Sequence, residues 1–172
     1  MKRGFTLIEM MISVALFSIV MLIAMTALLT LIEQNRRAQA LNSVMTDLNF
    51  TLESVSRAAR TGSDYDCGGA GRDCPISFPG GGSDRVTLRD QGNNLLSYRI
   101  ESDGLYRNGA RLTAEGVTLS TQESKFFVTG ADVTDTTQQP QITLVLVGES
   151  VYEDETVSFS LQTTVTQRIV EL

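Results

Sequence analysis

Histidine and tryptophan are absent from these 172 residues, cysteine occurs only twice and proline three times. Without imidazole there is no general base for a serine–histidine triad and no histidine-containing zinc site. Two cysteines, Cys67 and Cys74, are too few for a structural zinc but suit one disulfide. Basic side chains are also scarce, 14 against 20 acidic ones, leaving a net charge of −6. A general nucleic-acid binder needs the opposite balance to displace phosphate counterions. The phosphate-cradling pattern Gly-x4-Gly-Lys-Ser/Thr, a nucleophile motif and paired metal ligands are all missing. Nothing supports a catalytic role, and the chain reads as a non-enzyme.

The apolar residues are concentrated before residue 33. From Met10 to Ile32 run 23 uncharged, mostly aliphatic residues, preceded directly by the single acid Glu9. At 1.5 Å per residue this makes roughly 35 Å of helix, enough for a hydrocarbon core of about 30 Å. A secretory signal peptide has a basic start, which Lys2 and Arg3 supply, and a small-residue cleavage site, which Ala24–Ala27 imitates. Its apolar core is shorter than this one, and a cut at Ala27 would leave Leu28, Leu29, Leu31 and Ile32 on an exported product. A plain membrane anchor explains the length but not Glu9, since a carboxylate at membrane depth calls for a partner.

Residues 2–9, Lys-Arg-Gly-Phe-Thr-Leu-Ile-Glu, resemble the class III signal of type IV pilins and of the pseudopilins of type II secretion and competence systems. The resemblance implies that a prepilin peptidase cuts between Gly4 and Phe5 and N-methylates Phe5. Gly4 has no side chain to obstruct a membrane-embedded protease. Glu9 becomes the fifth residue of the mature chain and faces the new ammonium at Phe5 of the next subunit, an attraction that gains strength in a low-dielectric setting. The short N-terminus stays cytoplasmic, and the remainder is exported from the inner membrane as a single-pass protein. Other pilin or pseudopilin subunits and the inner-membrane assembly platform are the implied partners, and the destination is an extracytoplasmic filament.

From Glu33 to Arg60 no glycine or proline interrupts the chain. Leu41, Val44, Leu48, Leu52, Val55 and Ala59 recur at steps of three and four, an apolar stripe on a continuing helix. Thr61-Gly62 supplies a stop, glycine being free to turn left-handed after a helix end. Many pilins carry a proline in the membrane half of this helix; here there is none. Residues 62–84 are rich in Gly, Asp and Pro and read as a loop. Cys67 and Cys74 enclose six residues there, and export permits their oxidation to a disulfide, the alternative being two free thiols. No cofactor is expected. Calcium on Asp64, Asp66, Asp73 and Asp84 is the alternative, because hard cations favour several oxygens, although the spacing is not that of an EF-hand.

Beyond Asp84 the pattern becomes that of strands: Val86/Leu88, then Leu96/Tyr98/Ile100, Val117/Leu119, Phe127 with its neighbours, Gln141–Val147, and Val157/Phe159/Leu161/Thr163/Val165. Turns fall at Asp90–Asn93, Ser102–Gly104 and Asn108–Gly109. The stretches SYRIESDGLYRNGARLTAEGVTL and VSFSLQTTVTQR resemble the C-terminal domains of minor pilins and of the J-type pseudopilin. The expected fold is α+β, a long N-terminal helix packed on an antiparallel sheet. Its expected segments are a leader (1–4), a membrane and assembly half of the helix (5–33), an amphipathic half (34–61), a loop (62–84) and a β domain (85–172). The implied function is that of a minor pilin-like structural subunit that assembles into or primes a filament for secretion, adhesion, motility or DNA uptake. The competing class is a membrane-tethered binding module, with Arg99, Arg107 and Arg111 as a small basic patch.

Overall fold

In the computed structural model, residues 4–68, 73–74, 81–131, 138–152 and 155–168 are described. Lys2, Arg3 and parts of the 62–84 segment lie outside them. One helix, α1, runs from Leu7 to Thr61. Nine strands follow: β1 (Ser63–Asp66), β2 (Arg85–Arg89), β3 (Leu95–Glu101), β4 (Gly104–Arg107), β5 (Ala110–Arg111), β6 (Val117–Leu119), β7 (Lys125–Thr129), β8 (Gln141–Tyr152) and β9 (Glu155–Thr166). This is the α+β, pilin-like architecture, and it falls into two compact units, 1–41 and 42–172.

In the first unit, from Met10 to Ile32, the helix is apolar on every face and exposed, as Phe17 and Leu22 show at 61% and 72%. Its hydroxyls do not compete with the backbone for outside partners. Ser13, Ser18, Thr26 and Thr30 each donate to the carbonyl four residues earlier, at 2.7, 2.8, 2.6 and 3.0 Å. Each polar group is thereby satisfied within the helix, as a lipid environment demands.

In the second unit the helix changes to a one-sided pattern. Val44, Leu48, Leu52, Val55 and Ala59 are buried against the sheets, as their spacing predicts. Leu41, on the same expected stripe, is exposed, whereas its neighbour Ala40 is buried. Thr51 is also buried, with its hydroxyl donating to Asp47 and Leu112 carbonyls at 3.0 and 3.2 Å.

The strands form two antiparallel sheets. In the first the order is β1-β2-β3-β4-β5. In the second β8 is central, with β9 paired along one edge and β7 and β6 end to end along the other. Hydrogen bonds join the sheets: Ser83 and Phe126 exchange two at 2.8 Å, and Leu119 N–H donates to Ser102 at 2.9 Å. Tyr98, Leu105, Phe126, Val128, Leu144 and Leu146 fill the core between helix and sheets. In β7 the buried residues are Phe126 and Val128, and the expected Phe127 faces the other way. Strand β1 lies inside the segment expected as loop. All three expected turns are present. Asn108 and Gly109 both have positive φ (50° and 82°), the type I′ pattern that matches the twist of a tight hairpin.

Gly62 ends the helix for a different reason from the expected one. It is not among the residues with positive φ. A Cβ placed there would come within 2.6 Å of Leu88 Cδ1 and 2.7 Å of the Ala58 carbonyl, so only glycine fits. The last carbonyls of the helix then find donors. Tyr65 donates its hydroxyl to the Ala59 carbonyl, Arg168 N–H donates to Arg60 at 2.8 Å, and Gln167 Nε2 donates to Gly62 at 2.8 Å. Burial raises the Tyr65 phenol from its ordinary 10 to about 12. The neutral phenol is the form that folding favours. Its contribution is therefore complete below pH 10 and is lost as pH climbs through about 12. Tyr65→Phe should cost about 1 kcal/mol at neutral pH. It should also flatten, without abolishing, the alkaline loss of stability followed by thermal melting, because Tyr98 and Tyr106 are shifted upward too. An unchanged alkaline slope would show that the clasp is not titrating.

Candidate processing and assembly site

The residues singled out at the N-terminus lie on the first turn of α1 and the chain just before it. Gly4, Phe5 and Thr6 precede the helix in non-helical conformation and are exposed, Phe5 at 83%. A Cβ added at Gly4 would meet nothing within 4 Å, so the fold of the chain itself does not require glycine there. The requirement, if any, comes from whatever approaches the Gly4–Phe5 bond. That bond is open to attack, immediately ahead of a helix whose own backbone is closed to it.

Glu9 is held by a residue that the spacing argument passed over. Thr6 donates its backbone N–H to Glu9 Oε2 at 3.0 Å and its hydroxyl to the same oxygen at 2.9 Å. In return Glu9 N–H donates to Thr6 Oγ1 at 3.4 Å. This is a reciprocal capping box, with Thr6 as N-cap and Glu9 at the third helical position. The pattern Thr-x-x-Glu was visible in the sequence but was absorbed into the longer signal. The carboxylate also sits where the helix dipole favours negative charge. Phe5 lies one residue ahead of this box, and the donors to Glu9 come from Thr6.

The second predicted pair is joined: Cys67 and Cys74 form a disulfide with a Cα–Cα distance of 6.2 Å, and both residues are buried. The clip reaches β7, where Cys74 exchanges backbone hydrogen bonds with Val128 at 2.9 and 3.3 Å. Next to it the Asp73 carboxylate accepts from Gly130 and Ala131 N–H at 3.2 and 2.7 Å.

The calcium alternative gains nothing from this arrangement. Asp66 accepts from Gly68 N–H at 2.6 Å, and Asp64 pairs with Arg89 at 3.3 Å. Among the described residues no three His, Cys, Asp or Glu side chains converge on one point. Two of the three arginines expected as a basic patch are engaged within the fold. Arg99 pairs with Glu101 at 2.9 Å, and Arg111 donates to the Val117 carbonyl at 3.0 Å.

Closing so short a loop should contribute about 2 kcal/mol through chain entropy. The double variant Cys67→Ser/Cys74→Ser should lose that much in denaturant unfolding of the full chain in detergent. Exchange protection at Val128 should fall with it, because its N–H donates to the Cys74 carbonyl. Protection that stays at the wild-type level would show that the clip does not order this edge.

Against known proteins, residues 1–25 match the family model described as the prokaryotic N-terminal methylation motif. No curated protein and no solved structure matches the chain. That motif is typical of type IV pilins and pseudopilins, and here it opens a helix long and apolar enough to cross a membrane; in this N-terminal segment and in its helix-on-sheet fold the chain is similar to type IV pilin-like proteins that are processed as prepilins.

Proposed function

We propose that the chain is a minor pilin-like or pseudopilin subunit, cleaved between Gly4 and Phe5 by prepilin peptidase and methylated on the Phe5 nitrogen. Residues 1–4 are then the leader, 5–33 the membrane and assembly half of the helix, 34–61 its amphipathic half, 62–84 the loop and 85–172 the β domain. The subunit resides in the inner membrane with its C-terminal domain exported. An assembly platform then extracts it and packs it with other pilins into a filament.

The observation that carries this reading is the six-residue run from Gly4 to Glu9: an exposed, non-helical scissile segment abutting a capped apolar helix. Cleavage adds one thing the chain lacks, an ammonium one residue before the N-cap. Methylation leaves it cationic. In a stack of parallel helices that ammonium meets Glu9 of a neighbour, where a charge-assisted hydrogen bond outranks the neutral donors of Thr6. Proteolysis thereby switches a self-capped monomer into a unit that binds its own kind. The fold suits a structural part, and the family carrying this motif is structural.

Intact-mass measurement of the full chain co-expressed with a prepilin peptidase should show loss of residues 1–4 and one added methyl group. Gly4→Leu should remain uncut; a variant that matures at the normal rate would refute the assigned bond. Glu9→Ala should still insert in membranes yet lower filament incorporation by about tenfold or more. Equal incorporation would remove the ion pair from the account.

A further inference from the structure

Sheet edges expose unpaired N–H and C=O groups, and proteins guard them with bulges, charges, short strands or covering chain. The edges of this fold can be compared one by one. In the first sheet β1 is bulged between Ser63 and Asp66 and carries two aspartates, and β5 has only two residues. In the second sheet the outer edge of β7 is covered by backbone bridges from Cys74 and Ser83. The three-residue β6 is met by Ser102, whose carbonyl accepts from Leu119 N–H.

Strand β9 has none of these guards. It pairs with β8 through twelve consecutive residues without a bulge, and among the described residues nothing pairs with its other edge. From Thr156 to Gln167 there is no charge, proline or glycine. The strand also leaves its core margin incomplete. Val157, Phe159 and Val165 are buried, but Leu161 and Thr163, on the same face, are only half-buried.

We propose that the outer edge of β9 is a homotypic pairing surface, on which two copies of this chain join antiparallel about a two-fold axis at Leu161. The occupant is identified by the symmetry of the strand itself. With Leu161 opposite its own copy, Ser160 faces Gln162, Ser158 faces Thr164 and Val157 faces Val165. Polar residues meet polar ones on the outer face; on the core face Leu161 meets Leu161 and Val157 meets Val165, while Phe159 packs against the methyl-bearing Thr163. The two half-buried Leu161 side chains cover each other. Each Glu155 lies across from Gln167, with Arg168 the next residue along, so no like charges oppose one another. Such a contact is isologous and closes at two copies. It needs neither cleavage nor methylation, so it stands or falls separately from the filament reading.

The test uses the unprocessed full chain in detergent. In Leu161→Cys the two introduced thiols would face each other with Cβ atoms about 5 Å apart. Mild oxidation should give a covalent dimer on a non-reducing gel. Thr164→Cys, more accessible than position 161, should not, because its counterpart across the axis is Ser158. Ser160→Lys/Gln162→Lys places like charges directly opposite on the outer face and should weaken the dimer about tenfold or more in sedimentation. Thermal melting should be unchanged, since both positions are exposed. If Leu161→Cys disturbs folding, Ser160→Cys/Gln162→Cys reads the same register from the solvent side. A monomeric wild-type chain, equal cross-linking at 161 and 164, or a dimer indifferent to the lysine pair would each overturn the proposal.

Discussion

Backbone hydrogen bonding is the constraint on which the rest of this structure depends. Between Met10 and Ile32 the side chains call for lipid, and lipid offers no partner to a peptide group. A continuous helix meets that demand everywhere except at its start, where the first N–H groups have no carbonyl behind them. Thr6 and Glu9 supply the missing partners, and the helix dipole favours a negative group at that end. This accounts for the acid at the threshold of an apolar run without any second subunit. In the proposed assembly step, Glu9 is recruited from a local purpose that it already has.

The C-terminal end of the same helix faces the complementary shortage, of donors for its last carbonyls. Here the remedy is tertiary. Tyr65 comes from the strand immediately after the helix, and Gln167 and Arg168 from the end of the last strand. First and last elements of the β-bearing unit are thus fastened at one point, and Gly62 is the residue small enough to allow it. The disulfide and Asp73 tie the intervening segment to β7 in the same manner, by satisfying backbone groups at an edge that would otherwise stay open.

Periodicity made the helix, its buried stripe and most strands legible, because burial on one face writes itself into spacing. What could not be read were choices decided by distant neighbours. Leu41 has the spacing of a core residue but no cover, and Phe127 and Phe126 differ only in which one the register turns inward. Strand β1 has the composition of a loop, and pairing with β2 overrides it. Gly62 was found for a reason the structure does not support: what demands glycine is the approach of Leu88, 26 residues away, and no local φ announces that. The N-terminal site was legible almost entirely, being local, yet Thr6 was missed because one motif concealed another.

Charge distribution connects the two contacts proposed between copies of this chain. With a net charge of −6, copies repel at long range, and salt reduces that repulsion only beyond about 8–10 Å. A lasting contact between them is favoured where the surface is neutral over its own length or its charges are paired. After Met10–Ile32, the longest uncharged runs are 136–148 and 156–167, which contain most of β8 and β9. Strand β8 is paired on both edges, so its neutrality serves the interior. In β9 the same neutrality extends to an edge, where the interior of this sheet has no need of it. The proposed helix contact, which acquires charge pairing through proteolysis, and the proposed strand contact, which requires none, are therefore distinct interfaces. The first depends on a covalent event, and the second only on concentration.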